Sequence, residues 1–375
     1  MKNTLVARNA RVIVVSQSTD QRAFWHSMTA DARSDMDKIT CVLSSFLGNR
    51  TYSIQLGDAV DRCVGESRKL WFDLHAYQNH RAPWWLRHIS ALEGLHVASR
   101  WLREVDRRGV FVINGFGLAM ALDADAMVVA TDTTPAMMAR MSRRFHSTVI
   151  NSIVSLRFRR TAYRVRAWLP VSEACRRSLV EDYGVQPDCC LVTRCPQSVV
   201  DPTPHEPSGS ILFVGNDFAR KGGPELLRVF QRNLLPNCRL TVVSNDPSLA
   251  GHSPGNNVRI VAGLTSPSQI AECYRDADLL VLPTRFDVYS YVICEAASHE
   301  VPALATRVGA VGELLDESGG ASLTKGCTAE EIASAIKEAL GASYMMRARS
   351  AAQFALRELS IARFDQRVMT ALRMT

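Results

Sequence analysis

The 375-residue chain has no apolar run approaching the ~18 residues that span a bilayer, and no signal-peptide cleavage site before the strand-like Arg11–Val15. A cytoplasmic protein is the expectation. Its ten cysteines contain no Cys-x-x-Cys pair, and the cluster Cys189, Cys190 and Cys195 has no histidine nearby at zinc-ligand spacing. That argues against a zinc ribbon and a disulfide scaffold, and for reduced, packed thiols. Internal repeats and low-complexity tracts are absent. The stretch Asn114-Gly-Phe-Gly-Leu-Ala-Met120 lacks the third glycine of a dinucleotide fingerprint and reads as a turn. Acidic residues are outnumbered, 37 against 44 Lys and Arg, and the net charge of +7 implies an acidic partner. Nucleic acid, anionic lipid and a phosphorylated metabolite all fit that charge.

What is present is an alternation of short β-branched runs with helical patterns. The chain exceeds the size of one core, so two domains of roughly 150 to 200 residues are expected. In the C-terminal half, strands are expected at 211–215, 240–244, 258–262, 279–283 and 303–306, with helices near 224–234, 267–276, 290–300 and 329–340. This is the rhythm of βαβ units and a parallel sheet. In the N-terminal half the pattern is weaker, with strands expected at 11–15, 109–113, 127–131, 167–171 and 190–193 and helices at 84–107 and 173–183. The stretch from Pro196 to Ser210 holds four prolines and no apolar period, and reads as a linker. The division is therefore residues 1–197, a linker at 198–209, a second domain at 210–345, and a segment at 346–375 that returns to the first. Residues 344–373 show one long amphipathic helical pattern.

Two segments carry chemistry. From Phe213 the chain runs through a loop holding Arg220, Lys221, Gly222 and Gly223 into a helix with Pro224 near its start. Such a junction offers N–H groups and cationic side chains to an anion, pyrophosphate above all. A solvated surface turn is the other reading. From Pro283 to Leu315, Asp287 ends the loop after a buried strand and Glu295 lies eight positions on, inside a helix starting near Ser290. N–H groups of Tyr289, Ser290 and Tyr291 would then face outward at the helix start. A carboxylate accepts two hydrogen bonds from vicinal hydroxyls, so each acid can orient one sugar or ribose ring. A capping role for Asp287 and a buried, backbone-satisfied Glu295 stay open.

Residues 211–315 resemble the donor domain of retaining glycosyltransferases of the GT-B fold, especially glycosyltransferase family four. The family's Glu-x7-Glu motif stands here as Asp287-x7-Glu295, and its Gly-Arg followed by Lys-Gly as Gly215-Asn216 followed by Lys221-Gly222. The resemblance implies an α/β chain of two Rossmann-like, doubly wound domains facing across a cleft. It implies that Lys221 contacts the donor diphosphate, Glu295 the ribose and Asp287 the transferred sugar. Arg220 would supply the charge that Asn216 lacks. Val288 and Ser290 stand where the family has glycine, and the donor set extends over Gly215, Asn216, Tyr289, Ser290, Tyr291, Val292 and Glu295. Asp287, Lys221 and Arg220 are the catalytic candidates. Closure of the two domains would align the reactants and exclude water. The segment Val308–Glu313 resembles one flanking the donor phosphates, and reads equally as a helix entry capped by Glu313.

On the acceptor side Asp132 and Thr133 follow a strand in Ala130-Thr-Asp-Thr-Thr-Pro135, resembling an Asp-x-Thr-Pro loop of some of these enzymes. A turn closed by Pro135 explains them as well. Leu169-Pro-Val-Ser-Glu-Ala174 resembles a family turn in which Ser172 is also a plain helix cap. The family's Gly-rich loop after the first strand is missing, with Val15-Ser-Gln-Ser-Thr-Asp20 in its place. Asp123-Ala-Asp125 and Asp276-Ala-Asp278 look like metal-binding pairs, but no metal and no cofactor is expected. Between 139 and 168, Arg140, Arg143, Arg144, Arg157, Arg159, Arg160, Arg164 and Arg166 are interleaved with Phe145, Leu156, Phe158, Tyr163 and Trp168. Peripheral contact with an anionic membrane at its cytoplasmic face and a solvated helix face are both open; specific nucleic-acid binding is not expected. The expected partners are a nucleotide-diphosphate-sugar and a carbohydrate, lipid-linked or other hydroxyl acceptor. A non-catalytic nucleotide-sugar binder, an epimerase and a phosphorylase are the alternatives; no acid/base pair can be assigned among His75, His80, His88 and His146.

Overall fold

The computed structural model describes residues 12–15, 39–44, 49–65, 67–72, 109–122, 124, 126–141, 148–199, 205–250, 255, 257–264 and 266–375. The loop after Val15, the helical stretch 84–107, Asp123, Asp125, Arg143, Arg144, Phe145 and the histidines 75, 80, 88 and 146 lie outside the described residues. The chain divides into two compact units. One comprises Met1–Val171, Cys175–Thr193 and Phe364–Thr375; the other comprises Ser172–Ala174 and Arg194–Arg363.

Among the described residues the first unit holds six parallel strands: β1 (Val12–Val15), β2 (Thr40–Ser44), β3 (Arg68–Phe72), β4 (Val110–Asn114), β5 (Ala126–Thr131) and β6 (Val165–Pro170). Their order is β1-β3-β2-β4-β5-β6. Cys41, Val42 and Leu43 are fully buried, as are Met127 to Ala130. Such continuous apolar runs mark strands covered on both faces. The helices are α1 (Asn49–Val64), α2 (Phe116–Leu122), α3 (Pro135–Met141), α4 (Thr148–Ala162) and α5 (Glu173–Tyr183). Two expectations change here. The strand at 12–15 stands at the sheet edge, and the central strand beside β4 is β2, whose short Thr-Cys-Val-Leu-Ser run shows no strand alternation. Residues 190–193 form only a bridge along β6, through Leu191 N–H to Trp168 O and Thr193 N–H to Pro170 O.

The second unit also has six parallel strands: β7 (Ser210–Val214), β8 (Arg239–Val243), β9 (Val258–Val261), β10 (Leu279–Leu282), β11 (Ala303–Thr306) and β12 (Ala321–Leu323). The order β12-β11-β10-β7-β8-β9 reverses direction between β7 and β10. Its helices are α6 (Gly223–Gln231), α7 (Pro267–Arg275), α8 (Tyr291–Ser298), α9 (Val311–Ser318), α10 (Ala329–Ala339) and α11 (Tyr344–Phe354). Local chemistry explains their starts. Ser266 with Gln269, and Thr328 with Glu331, form capping boxes for α7 and α10, and Pro224 and Pro267 occupy first-turn positions.

The 344–373 segment is not one helix. After α11 the backbone widens into a π turn at Ala355–Leu359, Ser360 is extended at ψ 142°, and α12 (Ile361–Leu372) begins anew. A Gln197 N–H bond to Leu359 O seats this break. From Phe364 onward the chain belongs to the first unit, later than the 346 read from the amphipathic pattern. There Phe364 meets Tyr52 edge-on at 5.8 Å and Asp365 pairs with Arg62 at 2.7 Å.

Candidate functional site

The two sequence segments with chemistry leave neighbouring strands. β7 and β10 pair directly, Ile211 beside Leu279 and Leu212 beside Leu280, at the point where the strand order reverses. Loops diverge from the carboxyl ends of such a strand pair and leave a crevice between them. Here the two loops touch: the Arg285 N–H donates to Arg220 O at 2.9 Å. A Cβ at Gly222 would overlap the Pro283 carbonyl, and φ is +79° there, so only glycine suits this crossing. Gly215 has a different reason. The Lys221 stem lies over it, where a Cβ would overlap Lys221 Cδ.

This brings the Lys221 ammonium to 4.0 Å from Asp287 Oδ2, with both side chains largely buried. Oδ2 of Asp287 has no hydrogen-bond partner, so Asp287 does not cap α8. At ~4 Å in a partly dry site the attraction exceeds that of a surface pair, and each charge helps hold the other. The residue before α8, Ser290, sits in the left-handed region at φ 76° and ψ 78° and makes no capping bond. Its buried hydroxyl has no partner either. A side chain in this glycine-favouring conformation, with an orphan hydroxyl, stores strain at the loop's tip.

Asn216 and Arg220 both have partners within the protein. Asn216 Oδ1 accepts the Asn245 N–H at 3.0 Å, tying the first loop to the one after β8. Arg220 donates through Nε to Asp217 Oδ2 at 2.8 Å and through Nη1 to the Phe286 carbonyl. Arg220 thus braces the loop that carries Asp287, which Thr284 Oγ1 also holds through Phe286 O at 3.2 Å.

On α8, Glu295 is held by a residue that no local motif announces. Tyr274, near the end of α7, donates its hydroxyl to Glu295 Oε2 at 2.7 Å. Burial, and then the charge of Glu295, push the Tyr274 phenol well above its ordinary pKa, so it remains a donor. His299 stacks on the Tyr274 ring at 5.4 Å and bonds the Glu295 carbonyl through Nδ1 at 3.0 Å. Val292 is buried, and Tyr291 meets Tyr289 edge-on at 5.5 Å. Tyr289 itself is buried, with its hydroxyl 3.3 Å from Cys294 Sγ. Burial pushes the Cys294 thiol up to about 12, which makes it packing rather than a nucleophile.

Glu313 does not cap its own helix. Its carboxylate accepts the N–H groups of Glu173 at 2.7 Å and Ala174 at 2.9 Å, and pairs with the buried Arg194. Arg194 also reaches Glu317 Oε1 at 2.5 Å. Asp278 is likewise structural: it accepts from Ser208 N at 2.8 Å and Ser210 N at 2.7 Å, and contacts His205 Nε2 at 3.0 Å. Among the described residues no group of three or more His, Cys, Asp or Glu is arranged to hold a metal ion.

Asp132 and Thr133 stand in the first unit, in the turn after β5. Thr131 closes that turn by donating Oγ1 to Thr133 O at 2.7 Å, and Thr133 is buried.

Residues 208–342 match the family described as Glycosyl transferases group 1. The matched segment spans all six strands of the second unit. It contains the whole Lys221, Asp287 and Glu295 constellation. Solved structures share the architecture of both units. Sucrose-phosphate synthase from Thermosynechococcus elongatus is similar with a TM-score of 0.67 and 13% identity, over 90% of this chain and 98% of that one. Anabaena HepE in complex with UDP gives 0.63 and 12%, over 90% and 100%. WaaG, a glycosyltransferase involved in lipopolysaccharide biosynthesis, gives 0.61 and 17%, over 90% and 99%. No curated protein matches the sequence. The fold is GT-B: two parallel-sheet α/β domains in one chain. No helix among the described residues is long and apolar enough to cross a membrane.

Proposed function

We propose that the protein is a retaining glycosyltransferase that moves a hexose-like sugar from a nucleotide-diphosphate donor to a hydroxyl acceptor, in polysaccharide, glycolipid or other glycoconjugate synthesis. The observation that carries this reading is the placement of Lys221 4.0 Å from Asp287 at the switch point, with Glu295 one helix turn deeper. Anabaena HepE, whose fold is shared, has been solved with UDP and with UDP-glucose. In this reading Lys221 stabilises the charge developing on the departing diphosphate. Glu295, oriented by Tyr274, accepts the ribose hydroxyls. Asp287, whose Oδ2 accepts no hydrogen bond from the protein, accepts from the sugar. The leaving phosphate assists attack from its own face, so no protein nucleophile and no metal is needed.

The test is to incubate the purified chain with UDP-, GDP- and ADP-sugars and follow thermal shift and nucleotide release, with and without acceptor extracts. One donor class should bind and turn over, and the anomeric proton coupling of the product should match that of the donor. Lys221→Ala and Glu295→Ala should weaken donor binding about tenfold or more, the loss of one charge-assisted contact. Donor binding unchanged in both variants would remove the site assignment.

A second reading has its own observation. Asn216 and Arg220 are engaged within the protein, leaving Lys221 as the cation directed at Asp287 among the described residues of these loops. A non-catalytic nucleotide-sugar binder would have such a thinned charge set. Tight binding with no release in any acceptor extract would select it.

A further inference from the structure

Between Asp132 and Glu173 the chain runs forty residues without an acid and with eight arginines, more positive charge than the net +7 of the whole protein. Helix α4 lies in this stretch. Its inner face is defined by Phe158, fully buried against Phe116, Trp168 and Tyr183 at ring distances of 5.5, 5.5 and 4.5 Å, and by the buried Thr161 and Ala162. Successive helical residues advance about 100°, so Ile153, Leu156 and Arg160, followed by Tyr163 just past the helix end, form a stripe opposite Phe158 and Ala162. Ile153 is 58% exposed, Leu156 57% and Tyr163 70%. Arg159 and Arg160 on the same helix are exposed, as is Arg166 on the following strand β6. The nearby Asp182 does not neutralise them, because Arg140 holds it bidentately at 3.0 and 2.8 Å.

We propose that this face of the first unit binds the surface of an anionic lipid bilayer. Two observations select that occupant. Guanidinium groups surround the stripe with no carboxylate within the segment, which complements a layer of lipid phosphates. Two aliphatic tips and a tyrosine project from the centre, and these enter the boundary between headgroups and acyl chains, where a phosphate backbone would offer them nothing. A second copy of the chain is disfavoured, since it would set one arginine-rich face against another. The proposal does not depend on the sugar-transfer reading.

The test is co-sedimentation of the full-length protein with phosphatidylcholine vesicles, with and without phosphatidylglycerol, across a salt series. Binding is expected only with the anionic lipid. Replacing Arg160 and Arg166 by Gln should lower partition roughly thirtyfold at low salt, as two surface cations imply. Replacing Ile153 and Leu156 by Ser should lower it about tenfold, and this loss should persist at high salt. Circular dichroism melts and the donor thermal shift should match the parent, which separates lost docking from lost folding. Equal binding to neutral vesicles, which the parent alone can show, overturns the proposal, and so does unchanged partition in both variants. So does a dimer in sedimentation velocity that Leu156→Ser dissolves, or oligonucleotide binding that the arginine variant abolishes.

Discussion

The hydroxyl of Tyr274 donates to Glu295 Oε2 across 2.7 Å, joining two helices whose partners are 21 residues apart in sequence. The carboxylate is thereby held through one of its oxygens. Tyr274→Phe removes only the donor. The expected result is about a tenfold rise in the donor dissociation constant, the size of one hydrogen bond to a charged group, with kcat less affected. Isothermal titration with the preferred nucleotide measures this; an unchanged constant would mean that Tyr274 does not orient the acid.

Ser290 occupies the left-handed region that glycine tolerates. Ser290→Gly should raise stability by about 0.5–1 kcal/mol, because the relieved conformational strain outweighs the extra freedom of the unfolded chain. Ser290→Val should lower it, since a β-branched residue is still less tolerated there. Chemical denaturation of the two variants gives opposite signs if the strain is real.

Arg194 is buried and holds both Glu313 and Glu317. Removing the cation leaves two partly buried carboxylates facing each other, and burial already pushes Glu317 above the usual glutamate range. Arg194→Met should therefore cost about 3–5 kcal/mol in urea unfolding. A change below ~1 kcal/mol would show that the cluster is surface decoration.

The hydrogen bonds from Arg140 hold the Asp182 carboxyl below its ordinary value of 3.8. A folded-state value below the unfolded one means stability that is present above the unfolded value and lost as pH falls through the folded one. The melting temperature should therefore fall as the pH drops below about 4, and Arg140→Gln should flatten that part of the profile. Parallel acid limbs in parent and variant would contradict this.

How much was legible follows from how local each cause is. The strands β7, β10 and β11 are short apolar runs bounded by turn residues, and the junctions after them carry their own glycine, proline and charge. The loop-to-helix junctions that carry Lys221, Asp287 and Glu295 were therefore readable from local pattern. Asn216 and Arg220 were legible as residues but not in their engagements, because Asn245 and the Phe286 carbonyl reach them from other loops. Tyr274 and Arg194 carried no signal at all, since a buried tyrosine in a helix reads as core and a lone arginine after a bridge reads as surface. The central strand β2 was passed over because its five residues show neither alternation nor a long apolar run. The π turn at Ala355–Leu359 was invisible for a related reason: the apolar period continues through it.

Sequence alone determined the parallel α/β class, the helix starts and which side chains carry charge at the two loops, because turn chemistry, caps and periodicity act within a few residues. Tertiary structure decided which strands are neighbours. The reversal of order between β7 and β10 sets Lys221 beside Asp287, across 66 residues of chain, and positions Tyr274 against Glu295. Strand order depends on which faces the whole sheet buries, a quantity that no local window contains.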